Sequence, residues 1–160
     1  MAAINTPAHA AIERYLHEHI PLSRAMGVHV AQARLDVVEL TAPLAPNINH
    51  RETVFGGSAS ALAILAAWTL LHLRLQDAGH AARLVIQENT MHYDRPIAAD
   101  FSAICAWHDD AAWRRFVTTL ARRRRARIAV ASHLECGGAT VGRLEGVFVA
   151  LASAAGPRGS

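Results

Sequence analysis

The sequence contains no lysine: all sixteen of its basic side chains are arginines, set against thirteen aspartates and glutamates for a formal charge of +3. Five of them fall in one run, Arg122, Arg123, Arg124, Arg125 and Arg127, and the rest of the chain is close to neutral. A general nucleic-acid surface would spread positive charge over a face or groove, so this distribution argues against one. Cysteine is also scarce. Cys105 and Cys136 lie in no CxxC or Cys/His spacing and are too few for the disulfide framework of a small secreted module, so a cytoplasmic, reducing location is expected. The first residues have no basic stretch leading into an apolar one and do not read as a signal peptide. His17 and His19 are two positions apart, on different sides of a helix, and lack the i, i+4 spacing that lets two histidines share a metal. No metal, redox group or other cofactor is expected.

What is present is apolar. Of 160 residues, 52% are hydrophobic and 18% charged, enough to bury a core and too little charge for a disordered chain. The length suits one domain, read as 1–152, with a covering helix within 1–20 and a loose tail over 153–160. Thr53 to Leu73 carries no formal charge and passes the ~18-residue length test for a membrane span. Its first third is loop-like, and the Ala-rich remainder is interrupted by Ser60, Thr69 and His72, too weak for insertion. A helix apolar on all sides also suits the buried centre of a soluble domain, and that is the reading adopted.

Periodicity fills in the other elements. Ile12, Tyr15 and Leu16 mark a short amphipathic helix from Ala8 to His19, ended by Pro21. The β-branched residues between Val28 and Ala42 predict one long strand, with a slip in alternation near Ala33-Arg34 that suggests a bulge. The central helix runs from about Ser58 to Gln76 and stops at Gly79. Four extended runs follow: Arg83 to Tyr93, Phe101 to His108, Arg127 to Cys136 and Thr140 to Leu151. Trp113, Phe116, Val117 and Leu120 recur at helical spacing, so Asp109 to Arg123 is a surface helix between the third and fourth of five strands. A lone helix that is apolar all round needs cover on all sides, and a strongly curved antiparallel sheet supplies it.

Two segments carry a resemblance. Asn49-His50-Arg51-Glu52-Thr53-Val54-Phe55-Gly56-Gly57-Ser58 stands at the mouth of the central helix, and His92-Tyr93-Asp94-Arg95-Pro96-Ile97-Ala98-Ala99-Asp100 at the next strand turn. In this order, separated by one long apolar helix, they resemble the hotdog thioesterases, most closely the thioesterase domains of the YiiD C-terminal type. The resemblance implies an α+β hotdog fold, with a five-stranded antiparallel sheet wrapped around a long central helix. It also implies a homodimer, or a higher homo-oligomer, whose site for an acyl-CoA or acyl-carrier-protein thioester lies between subunits. An unpaired sheet edge is in any case an aggregation liability, which gives pairing a physical motive.

The residues suit that chemistry. Two glycines at a helix start let a ligand approach the backbone, and the free N–H groups and helix dipole there favour a developing oxyanion. Gly57 N–H is the expected polarising donor, and Asn49, which donates and accepts, the group that positions water or the carbonyl. Phe55, Gly56, Ser58, His92 and Arg95 are the expected substrate contacts. The pattern departs from the family at one point. The Asp or Glu that Asn-dependent hotdog thioesterases usually carry on this helix, nine residues after the motif's His/Phe, is here Ile64, and no carboxylate occurs between Glu52 and Asp77. A base must therefore come from His50 or Glu52, with Glu88 or His92 as further candidates. The alternative is a non-catalytic module that binds acyl thioesters and has lost the helix acid.

Overall fold

The computed structural model describes residues 6–154 and is organised around the helix α3, Gly56–Asp77. Its Ala- and Leu-rich sequence favours helix. Ten of its residues, from Ala59 to Leu75, are buried. Gly79 ends it in the left-handed conformation (φ +74°), and Ala78, Gly79 and His80 donate their N–H groups to the last free carbonyls. By length and composition α3 could cross a membrane, but it is the core helix of this domain. The apolar surface of this helix, unfavourable in water, is what the rest of the chain covers.

The cover is one antiparallel sheet in the order β1-β2-β4-β5-β6-β3, with β1 His29–Ala33, β2 Val37–Ala42, β3 Ala82–Tyr93, β4 Phe101–Ala106, β5 Arg125–Cys136 and β6 Ala139–Ala152. Alternation assigns its faces. Phe101, Ala103 and Cys105 of β4, and Leu144, Gly146, Phe148 and Ala150 of β6, are buried towards α3 as the period-two pattern predicts. From β5, Ser132 reaches into the core and its Oγ donates to the Ala63 carbonyl (2.9 Å).

The sheet has six strands, not five. The run read as one long strand from Val28 to Ala42 folds back on itself at Arg34–Asp36. There Arg34 N–H donates to Val37 C=O (2.8 Å), and the Arg34 guanidinium donates to both carboxylate oxygens of Asp36 (3.0 and 3.1 Å), which lowers the Asp36 pKa. Two β-branched runs on either side of a tight turn have the composition of one strand, and the slip in alternation marked the turn. The strand expected to reach His108 ends at Ala106. The chain beyond Pro21 also makes a short helix α2, Pro21–Ala25, with proline at its first position. Of the expected tail, Ser153 is tied down, donating to Ala81 C=O and accepting from Arg124; residues 155–160 lie outside the described residues.

Between β4 and β5 the sheet opens. The two strands pair only from Ser102 to Ile104 against His133 to Glu135, so Arg125 to Ser132 of β5 pairs with β6 alone. The helix α4, Asp110–Arg123, lies beside this opening, capped by Asp109 and anchored by buried Phe116 and Leu120. Arg74, near the end of α3, fixes it there. The guanidinium sits 4.6 Å from the centre of the Trp113 ring and 5.2 Å from that of Trp107, and 3.6 Å from the Asp110 carboxylate.

The N-terminal helix α1, Thr6–His19, covers α3 from the open side through stacked rings. Tyr15 stacks on His19 (4.0 Å between centroids) and on His72 (5.1 Å), and His72 stacks on Trp68 (4.7 Å). His17 Nε2–H donates to Val28 C=O, and Glu13 accepts from His29 and from Val30 N–H. Burial, and secondarily the nearby His19, lowers the pKa of half-buried His72. Its neutral form is thus favoured in the folded state, so the stability it contributes is complete above its unfolded pKa of about 6.5 and is lost as pH falls through the lower folded value. Urea melts from pH 7.5 to 5.0 should show a midpoint that falls with acidification, and His72→Phe should flatten that slope. Equal slopes would remove His72 from the linkage.

Candidate active site

The loop into α3 is organised by Asn49. Its Oδ1 accepts from Arg51 N–H (2.8 Å), Thr53 N–H (3.2 Å) and the Thr53 hydroxyl (3.2 Å), closing the turn on itself. Its Nδ2 donates to Thr53 Oγ1 (3.0 Å) and, at a long 3.5 Å, to Val54 C=O. The turn forces Glu52 to φ +61°, a left-handed conformation that costs a non-glycine residue energy. His50, Arg51 and Glu52 therefore stand exposed on the rim of a rigid turn.

Beyond it α3 begins with no capping side chain. Phe55 occupies the N-cap position, and the first helical bond is Ala59 N–H to Phe55 C=O (3.1 Å). The N–H groups of Gly56, Gly57 and Ser58 are left without a partner among the described residues. Unpaired donors at the positive end of a 22-residue helix are a ready anion site. The second glycine has a steric reason: a Cβ on Gly57 would collide with the Phe55 ring, which is 58% exposed and folds back over the helix start. A Cβ on Gly56 would make only ordinary contact with Tyr93.

The structure brings the two sequence segments together. Val54 N–H donates to Ile97 C=O (2.7 Å), and the Tyr93 hydroxyl donates to Gly56 C=O (3.0 Å). Between them lies a cavity of about 320 Å³ whose walls include Thr53, Val54, Tyr93 and Arg95. Arg95 is held by its own main chain, which donates to Val141 C=O, and Asp94 beside it pairs with Arg143 (3.4 Å). Gly142 permits this close approach of β6 to β3, since a Cβ there would lie 2.8 Å from the His92 carbonyl oxygen.

Asn49, His50, Glu52, Phe55, Gly56, Gly57, Ser58 and Arg95 thus belong to one neighbourhood. His92 and Glu88 do not join it within this protomer. Tyr93 points to Gly56, so the preceding His92, paired with Arg143, takes the outer face of the sheet, and Glu88, paired with Val147, takes the same outer face. Ile64 is seven residues beyond Gly57, two helical turns along the same face, and half-buried. An acid on that face is what this helix lacks. Sequence reasoning missed the bond of Tyr93 to Gly56 and missed Thr53 as the partner of Asn49. Neither hydrogen bond leaves a signal in residue spacing.

Glu52→Gly should raise stability by about 0.5–1 kcal/mol, because glycine adopts the left-handed conformation without the steric cost and gives back only part of the gain as unfolded-state entropy. A denaturant titration measures it, and a lower midpoint would show that the Glu52 side chain supports the fold.

Comparison with known proteins agrees with this geometry. The family described as "Putative thioesterase (yiiD_Cterm)" matches residues 9–152. A protein of unknown function from Chlorobaculum tepidum is 27% identical and superposes with a TM-score of 0.86, over 91% of this chain and 95% of that one. A "putative thioesterase" from Shewanella oneidensis shares the fold at 24% identity and a TM-score of 0.80, covering 89% and 96% of the two chains. A probable thioesterase from Pseudomonas aeruginosa does so at 22% identity and 0.76, covering 90% and 96%. With a central helix wrapped by one antiparallel sheet and both sequence segments meeting at that helix's start, this hotdog-fold chain belongs to the yiiD C-terminal thioesterase family.

Proposed function

We propose that this protein hydrolyses the thioester of an acyl-CoA or acyl carrier protein, at a site that starts at the head of α3 and is completed by a second copy of the chain. The observation that carries the reading is the uncapped start of α3, with free N–H groups at Gly56, Gly57 and Ser58 beside an open cavity. A thioester carbonyl oxygen accepting from Gly57 N–H gains negative charge as water attacks, and the helix end stabilises that charge. Loss of one such donor costs on the order of 10²–10³ in rate. Phe55, Gly56 and Ser58 frame the acyl thioester, and Arg95 at the cavity wall meets a polar or anionic part of the substrate.

Asn49 acts in two ways in this scheme. Its short bonds hold the turn, and its long bond to Val54 C=O is the one that exchanges for the attacking water. With Ile64 where the helix acid would stand, the proton passes to His50 or Glu52 on the same turn. His92 and Glu88, on the outer face, take part only if the partner subunit presents them. The open edge at β3 supports the homodimer: β3 is a long edge strand, with Val85 exposed there and Phe55 and Tyr93 exposed at the site. No metal or cofactor enters the scheme. A cytoplasmic location is part of it and is supported by free Cys105 and Cys136, the former a buried thiol whose pKa is pushed up to about 12.

The missing helix acid favours a second reading, a module that binds acyl thioesters without cleaving them. Release of free CoA from short, medium and long acyl-CoAs, followed by chromatography, separates the two. Turnover should occur, and Asn49→Ala should lower it at least tenfold while circular dichroism shows the fold retained, at a melting point lowered by the loss of the turn's bonds. Acyl-CoA binding with no turnover on any CoA or carrier-protein thioester would establish the binding module instead.

A further inference from the structure

The opening between β4 and β5 is a second cleft, which shares no lining residue with the cavity at the thioester loop and has a volume of about 550 Å³. Three features of it converge on one kind of ligand. The first is charge. Seven arginines lie between Arg114 and Arg127, against Asp109 and Asp110 at the start of α4. Asp109 is engaged in capping α4 and Asp110 pairs with Arg74. Arg115 and Arg127 both line the cleft, and among the described residues neither guanidinium has an acidic or carbonyl partner. Two arginines lining one space, whose carboxylate Asp109 already caps α4, suit a phosphate.

The second feature is the strand edge. Arg124 C=O accepts from Ala152 N–H, so the alternate residues Ala126, Ile128 and Val130 turn their main-chain groups to β6. Arg127, Ala129 and Ala131 therefore turn theirs into the cleft, where β4 has already diverged. Ala131 C=O takes the Cys105 thiol as donor (3.3 Å), whereas the N–H groups of Arg127 and Ala129 have no strand partner. Free N–H groups beside guanidinium forks are a second set of donors for the same anion.

The third feature is the apolar wall. Half-buried Trp107 lines the cleft with Thr119 and Asp109, and Phe116 underlies it as a buried ring. A flat ring packs against an indole, and a space of this size falls within the range of small-molecule sites. We infer that the α4/β5 cleft binds a nucleoside phosphate, with the phosphate on Arg115 and Arg127 and the base against Trp107. That chemistry occurs in the adenosine 3′-phosphate head of CoA and in free nucleotides. In the first case the inference rests on the thioester reading and names the head-group contacts of its substrate. In the second the cleft takes a separate effector.

Calorimetry on the full chain tests this with adenosine 3′,5′-bisphosphate, CoA, ADP and inorganic phosphate as probes. At least one nucleotide should bind, more tightly than inorganic phosphate by tenfold or more. Arg115→Ser with Arg127→Ser should weaken it at least tenfold, and Arg14→Ser with Arg24→Ser, which removes the same charge elsewhere, should not. The single variant Arg115→Ser serves if the double variant melts early. Binding of CoA and the bisphosphate but not ADP assigns the head group of CoA, and equal binding of ADP assigns a free nucleotide. No nucleotide binding by the wild type, affinity no better than that of phosphate, or binding indifferent to Arg115 overturns the inference. Hydrolysis of an acyl-N-acetylcysteamine thioester, which carries no nucleotide, reports on the thioester reading separately: turnover there without nucleotide binding loses the cleft and keeps the enzyme.

Discussion

Every part of this molecule answers to the burial of α3. Leu62, Leu70 and Leu71 are fully buried in that helix, and each contributes roughly 1.5–3 kcal/mol by leaving water. A helix apolar on most of its circumference cannot be satisfied by one flat partner. The sheet has to curve about it, and α1 has to close the remaining side through the Tyr15, His72 and Trp68 rings. Small residues on α3 let the strands come close, so that the Ser132 hydroxyl reaches a helix carbonyl and adds a directional contact to an otherwise non-directional packing. Arg74 plays the corresponding part at the far end, where one guanidinium ties α3 to two indole rings and to the start of α4.

The same burial sets up the chemistry. A helix held along its length presents its N-terminus in a fixed place, and the donors at that end stay free because Phe55, not a serine or aspartate, takes the cap position. A capping side chain would stabilise the helix and occupy the groups a substrate needs. The loop compensates through its own bonds, with Asn49 closing the turn, Val54 paired with Ile97, and Phe55 N–H donating to Asn47 C=O (2.7 Å). The strain at Glu52 is the local cost of keeping that turn tight next to an open helix end.

The turn between β1 and β2 and the opening between β4 and β5 have opposite consequences. At Arg34–Asp36 the chain reverses and β1 pairs with β2, so β2 is covered and the five-residue β1 becomes the edge. Between β4 and β5 pairing stops early, and α4 covers the gap without closing it, which leaves main-chain donors and two arginines facing a shared space. Both follow from local chemistry: a side-chain ion pair across a tight turn in one case, an amphipathic helix docked by Phe116 and Leu120 in the other.

Much of this was legible from residues alone, because periodicity records burial. The apolar run of α3, the alternation in β4 and β6, the helical spacing of Trp113, Phe116 and Leu120, and the stop at Gly79 each state which side faces the core. The loop-and-glycine segment and the Arg-Pro segment were legible too, since each has its own residue pattern. Tertiary structure alone decided what depends on direction and distance. It split one apparent strand into β1 and β2, sent His92 to the face opposite Tyr93, committed the short hydrogen bonds of Asn49 to its own turn, and gathered Arg115 and Arg127 around an unpaired strand edge. The physical reason is range. Burial is a property of each residue and leaves its period in the chain, whereas a hydrogen bond or a shared cavity joins residues whose separation in sequence carries no record of it.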